Sequence, residues 1–190
     1  METGTVQDRI LVETCAPTLA GLKTASLINV PYESKESANR DVRRMNRMFS
    51  AKGVRVIPLR YRKERMLLYV YRPLLLKRDM ENGRTRALLK ACGYEFRNVN
   101  LGVAQLANRM KTEADFPHEI GLFLGYPPED VHGFIYHRYE GCTCIGDWRV
   151  YGDAEAAKER FARFRKCKEV YRRLWAEGRS VEALTVKTSA

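Results

Sequence analysis

Residues 65–72, RMLLYVYR, put apolar side chains on both faces of one extended segment: Met66, Leu68 and Val70 on one, Leu67, Tyr69 and Tyr71 on the other. Such a strand has no face to give to water. It must lie centrally in its sheet, with other elements packed above and below it. The preceding run, GVRVIPLRY at 53–61, is separated from it only by the polar RKE, so the two read as a hairpin. ASLINVP, 25–31, reads as a further strand.

Helices must supply the cover. Val6, Ile10 and Leu11 have helical spacing in a first helix over 6–14, and Pro17 reads as opening a second short one, PTLAGLK. Ser34 or Ser37 can cap a helix through 38–51, which Gly53 ends. Pro73 suits the first position of a helix over 73–92, interrupted at Asn82-Gly83 and closed by Gly93. Val99, Val103, Leu106 and Met110 form the stripe of another helix, over 99–113. CIGDWRVYGD reads as one more strand, and Asp153 caps a last long helix with Ala157, Phe161, Phe164, Tyr171 and Leu174 inward. The expectation is a helix-rich α+β fold with a small antiparallel sheet of about three or four strands covered by several helices. Residues 1–178 are expected to form one globular domain, with 179–190 a frayed tail.

The net charge of +11 is concentrated: residues 40–90 hold 16 Lys and Arg against 4 Asp and Glu, and the remainder holds 18 against 19. A field of that kind favours an anionic ligand, or a nucleic-acid or protein partner met by this region together with the 117–137 helical corner, with Arg43, Arg44 and Arg47 as candidate anion-binding residues. The alternative is a solvated basic surface. No apolar run is long enough to span a bilayer, so no membrane role is expected. The start, METGTVQDRI, lacks a basic leader followed by an apolar run; with five cysteines, an odd number, the expectation is a cytoplasmic protein with reduced thiols.

The stretch DFPHEIGLFLGYPPEDVHGFI, 115–135, carries two of the three histidines and three of the seven prolines. Read as a helix from Pro117, it places His118 and Glu119 in the first turn, where they form a candidate acid/base or ligand pair. The same stretch has helix-turn-helix spacing, from Ile120 through Gly125 to Val131 and Phe134. Its second helix would expose Glu129, Asp130, His132, Gly133 and Tyr136, and two acids facing phosphates argue against DNA reading. His132 and His137 diverge by about 140° on a helix, and the Cys142-x-Cys144 pair alone is a weak signal, so no metal site is expected.

Several segments together, CAPTLAGLKTASL, LLYVYR, FPHEIGLFLGYPPEDVHGFI and WRVYGD with a later cysteine in the last helix, resemble a family of proteins of about this length from Gram-positive anaerobes, known as a domain of unknown function. The resemblance implies an intracellular bacterial protein and carries no activity or cofactor, so the cofactor is unknown. Its motif positions include Cys15, Thr18, Lys23, His118, Glu119, Tyr126, Asp130, Trp148 and Cys167. Cys15, two residues before Pro17, is a candidate nucleophile if it lies at a helix start, where the dipole lowers a thiol's pKa. Thr18 and Lys23 are its nearest polar neighbours in the chain, and Tyr126 and Asp130 complete the candidate ligand-binding set. Whether the protein is an enzyme, and its oligomeric state, are left open at this level. The aromatics of the basic segment, Tyr61, Tyr69 and Tyr71, read as core rather than as base-stacking residues.

Overall fold

The structure is a computed structural model describing residues 5–95, 97–113, 115–138 and 140–188. In chain order the elements are α1 (Val6–Leu19), β1 (Ala25–Pro31), α2 (Lys35–Phe49), a 3-10 turn (Ser50–Lys52), β2 (Arg55–Arg62), β3 (Arg65–Tyr71), α3 (Pro73–Glu81) and α4 (Gly83–Ala91). There follow α5 (Val99–Thr112), α6 (Ile120–Phe123), α7 (Pro128–His137), β4 (Cys144–Ile145), β5 (Arg149–Val150), α8 (Ala154–Ala176) and α9 (Val181–Leu184). The fold is α+β and rich in helix.

The three-stranded antiparallel sheet has the order β1-β3-β2, so the doubly apolar strand is central. Its two faces belong to two separate cores. Met66, Leu68 and Val70 pack with α1, α2 and the C-terminal half of α8, through residues such as Leu11, Met45, Phe49 and Tyr171. Tyr69, Tyr71 and the partly buried Leu67 pack with Leu76, Leu89, Leu106 and Phe123 from α3 to α6. The tyrosines are core residues, as expected: Tyr69 donates to the Phe123 carbonyl at 2.6 Å and stacks on Tyr71 with ring centroids 4.7 Å apart.

Two local devices set the register. The β2–β3 turn is Lys63-Glu64, both in the left-handed region with φ of 47° and 56°, the geometry of a two-residue hairpin without its usual glycine. In β2 the register shifts between Pro58 and Arg60, leaving Leu59 as an extra residue. Pro58 lacks an N–H for the ladder, and an edge strand tolerates both the proline and the bulge. The bulge turns Tyr61 onto the same core as Val56, although an odd spacing in a regular strand would set them on opposite faces.

Three expectations need correction. Pro17 does not open a new helix; it lies in the last turn of α1, which runs unbroken from Val6. That position costs only one backbone bond, and the Leu22 and Lys23 amides then return to the Pro17 carbonyl at 2.8 and 3.1 Å. CIGDWRVYGD is not one strand but the short β4–β5 hairpin, turning at Gly146-Asp147-Trp148. The expected fraying of 179–190 does not hold for residues up to 188: Val181 and Leu184 are buried, and the Val186 amide donates to the Leu19 carbonyl at 2.9 Å.

The tail is held by Arg72, which has no exposed surface. Its guanidinium donates to the carbonyls of Thr18 and Leu19 at 2.5 Å each, of Val186 at 2.8 Å and of Lys52 at 3.3 Å, and to the Thr188 hydroxyl. Burial lowers its pKa, yet a guanidinium remains charged, and the carbonyl end of α1 is where a helix favours a cation. Arg72→Lys should therefore lower stability by about 3 kcal/mol or more, since one ammonium cannot reach five acceptors in a fork. Urea unfolding is the measurement, with faster proteolysis after Gly178 as the accompanying sign.

Candidate ligand-binding cleft

The site is built on the corner between α6 and α7. Pro117 starts it, the Ile120 amide reaching back to the Pro117 carbonyl at 3.1 Å, but regular helix occupies only Ile120–Phe123. His118 and Glu119 thus lie in a turn before α6 rather than within a longer helix. Gly125, with φ of 77°, reverses the chain; a Cβ there would lie 2.6 Å from the Thr24 hydroxyl. Pro127-Pro128 then launches α7 with proline at its first turn. Gly121 lets the helices meet, since a Cβ there would stand 2.8 Å from Val131.

Asp130 fastens the β4–β5 hairpin to this corner. One carboxylate oxygen accepts from the Trp148 indole N–H at 2.7 Å, and the other from the amides of Tyr151 and Gly152 at 2.7 and 2.8 Å. Asp130 and Gly133 are therefore buried, not exposed on α7 as a helix-turn-helix reading requires; Gly133 lies directly against the Tyr151 ring. Trp148 stacks on Tyr126 at 4.6 Å and meets Phe161 edge-on at 4.5 Å. The Lys23 ammonium is 5.2 Å from the Tyr126 ring centre and 5.9 Å from that of Phe164. Burial lowers the Lys23 pKa, with nearby Asp147 opposing, and burial pushes the Tyr126 hydroxyl up to about 12.

Between the corner, Leu27 of β1 and the hairpin turn lies a cleft of about 460 Å³. Ile120, Leu124, Val131, Phe134 and Trp148 make its walls almost wholly carbon, and Phe116 and Ile145, 41% and 69% exposed, stand at the rim. Its polar groups are His118, Asp147, Arg149, Asp130 and Tyr126.

The structure separates the residues singled out in the sequence. His118 lines the cleft, its ring edge-on to Phe134 at 5.0 Å and 6.5 Å from Phe116. Glu119 instead turns to α5 and the segment before it, accepting from Arg109 at 3.0 Å and from the Tyr94 hydroxyl at 3.1 Å. The Arg109 guanidinium also covers the Tyr94 ring at 4.4 Å, and burial, then Glu119, holds the Tyr94 hydroxyl far above its usual pKa. Tyr126 and Asp130 meet His118 at the cleft, and Lys23 lies behind Tyr126. Cys15 and Thr18 are fully buried in the other core, Thr18 bonded to Ser26 at 2.9 Å. Arg43, Arg44 and Arg47 lie on α2, away from the cleft, and Arg44 is paired with Asp8 at 3.1 Å. His132 and His137, at opposite ends of one helical turn and a half, have ring centres 6.3 Å apart. Among the described residues no group of three His, Cys, Asp or Glu side chains is arranged to hold a metal ion.

Sequence reasoning named Trp148 only as a motif position and Phe134 only within the helix-turn-helix spacing, and it did not single out Asp147 or Arg149, although all four line the cleft. The signal for Trp148 was present: one of only two tryptophans, in a segment rich in Gly and Asp. Phe134 offered none beyond its place on an apolar helix face.

Cys15 is the tenth residue of α1, remote from the helix start, so no dipole activates it. Burial is the main influence on its thiol and pushes the pKa up to about 12, with Lys23 the largest opposing charge. Near neutral pH it is a protonated, enclosed thiol. In iodoacetamide labelling read by mass spectrometry, the half-buried Cys142 and Cys144 should react in the native protein, and Cys15 only after unfolding.

No helix among the described residues is long and apolar enough to cross a membrane. No curated protein and no solved structure matches the chain. A family model does, over residues 11–185, which take in the larger part of α1, the sheet, the corner, the hairpin and α9. The chain belongs to the family described as protein of unknown function DUF3793.

Proposed function

We propose that the protein binds an amphipathic small molecule in the cleft beside His118, with an apolar or aromatic body and one polar group. The observation that carries this reading is the cleft itself: concave, walled by carbon, with a few polar side chains on its lining. Pockets of that size and make-up are the usual seats of small ligands. The apolar body would lie against Phe134 and Trp148, and His118 or Arg149 would meet the polar group. Glu119, committed to Arg109 and Tyr94, supports the turn that carries His118 and would not touch the ligand. Lys23 would act through Tyr126, and Cys15 and Thr18 as packing.

Trp148 reports on the cleft, and Trp175→Phe leaves it the only tryptophan. A library of aromatic and acyl carboxylates should contain compounds that shift Trp148 emission saturably. Ile145→Glu, at an exposed rim position, should weaken these compounds about tenfold or more at unchanged melting temperature, because it sets a charge against an apolar body. His118→Gln should weaken binding and leave stability nearly intact. A flat response across the library, or full binding by Ile145→Glu, would remove the reading.

A second reading rests on α2, where Arg43 and Arg47, one turn apart, are exposed on one side. That surface, a candidate for nucleic acid or an acidic protein partner, would be used without Arg44. If duplex DNA binds there, affinity should fall with salt at a log–log slope of about −0.9 per phosphate contact, and Arg43→Glu with Arg47→Glu should flatten that slope. Filter binding across a salt series decides it; no binding at low salt ends it.

A further inference from the structure

A second concavity, of about 600 Å³, opens between the α3–α4 junction, the α6–α7 turn and the first part of α8. It differs in kind from the cleft beside His118, although Tyr126 lines both. Arg78, Asp79 and Arg84 face it from the junction, Glu129 from α7 and Arg160 from α8.

Three of these are guanidinium groups, and their freedom sets them apart. Most other arginines of the basic segment that are not simply solvated are spent on the fold. Arg44 holds Asp8, Arg60 the carbonyls of Met110 and Glu113, Arg65 that of Asn29 and Arg86 that of Met80. Arg72 holds the tail. Arg78, Arg84 and Arg160 make no ion pair within 4.0 Å and no side-chain hydrogen bond among the described residues. Arg160 lies over Trp148, 6.0 Å from the ring centre, and it and Arg78 act on Asp79 through charge without a bond. The end of α4 does not supply the field, because Asn82 already accepts from the amides of Arg84 and Thr85 at 2.9 and 3.3 Å.

The carboxylates are placed differently. Asp79 lines the cleft and accepts from the Thr24 hydroxyl at 2.5 Å, which pins the start of β1. Burial raises its pKa; Thr24, then Arg160 and Arg78, oppose the rise. Three guanidinium groups outnumber the two carboxyl groups, Asp79 and Glu129, on this lining.

We propose that this cleft binds the phosphoryl group of a small phosphomonoester, gripped by Arg78, Arg84 and Arg160. Guanidinium groups from three separate elements can approach a tetrahedral dianion from three sides, each with a planar fork of donors. The volume exceeds that of a phosphate ion and leaves room for a sugar-sized alcohol, whose hydroxyls Asp79 and Glu129 can accept from. This goes beyond the reading of the His118 cleft and does not depend on it.

Isothermal titration calorimetry at low ionic strength with ribose 5-phosphate and with free ribose is the test. Ribose 5-phosphate should bind saturably and ribose should not. Arg78→Gln and Arg84→Gln, both at exposed positions, should each weaken binding about tenfold or more at unchanged melting temperature. Arg43→Gln with Arg47→Gln on α2, and Ile145→Glu at the other cleft, should leave it within about twofold, since a solvent-screened charge acts weakly at a distance. The absence of saturable binding, indifference to Arg78→Gln and Arg84→Gln, or an equal loss in the α2 double variant would each overturn the proposal.

Discussion

The buried guanidinium of Arg72 is the constraint around which the rest is arranged. It stands where the central strand ends and α3 begins, and it draws three other parts of the chain together: the carbonyl end of α1, the turn after α2 and the segment after α9. Among the described residues no carboxylate pairs with it. Its charge is met by carbonyl dipoles, and those of α1 lie where a helix is already partly negative. A buried charge without such partners costs several kcal/mol, so the elements that offer the carbonyls cannot move independently. The upper core, filled by Met66, Leu68 and Val70, is closed by the same elements.

The other face of the strand carries the surfaces on which function is proposed. Tyr69 reaches the Phe123 carbonyl, so the sheet itself positions α6. From there a short chain of contacts leads outward: Gly121 against Val131, Asp130 to Trp148, Trp148 against Tyr126, and Lys23 over Tyr126. α8, about 35 Å long at 1.5 Å per residue, ties the two halves by packing Cys167 and Tyr171 on the upper core and Phe161 and Phe164 under the hairpin. The cleft walls are thus continuous with the core, which would give the proposed ligand a preformed shape to meet.

Much of the fold was legible because period and punctuation agreed. The two-faced strand placed itself at the centre, Asn82-Gly83 divided α3 from α4, and Asp153 marked the start of α8. What stayed hidden depended on contacts distant in sequence. Pro17 looked like a start signal and is an inward-packed residue at a helix end, which moved Cys15 from an activating position to an enclosed one. The bulge at Leu59 had Pro58 as its only sign. The cleft was half legible: His118, Tyr126 and Asp130 were in view, but the direction in which Glu119 turns is decided by Arg109 and Tyr94, which no local spacing reveals. The opposite fates of Arg44, Arg60 and Arg72 on one side, and Arg78 and Arg84 on the other, are equally invisible in a charge count.

The grip of Arg72 on Val186 and Thr188 also bears on how the chain assembles as it is made. The sheet, α1 and Arg72 itself emerge from the ribosome long before residues 181–188 do. Through that interval two of the guanidinium's acceptors do not yet exist, and water must stand in for them at the open end of the upper core. Closure of that core is thus a late event of synthesis, and a chain stalled before α9 presents a solvated cationic opening where the finished protein encloses Arg72 completely.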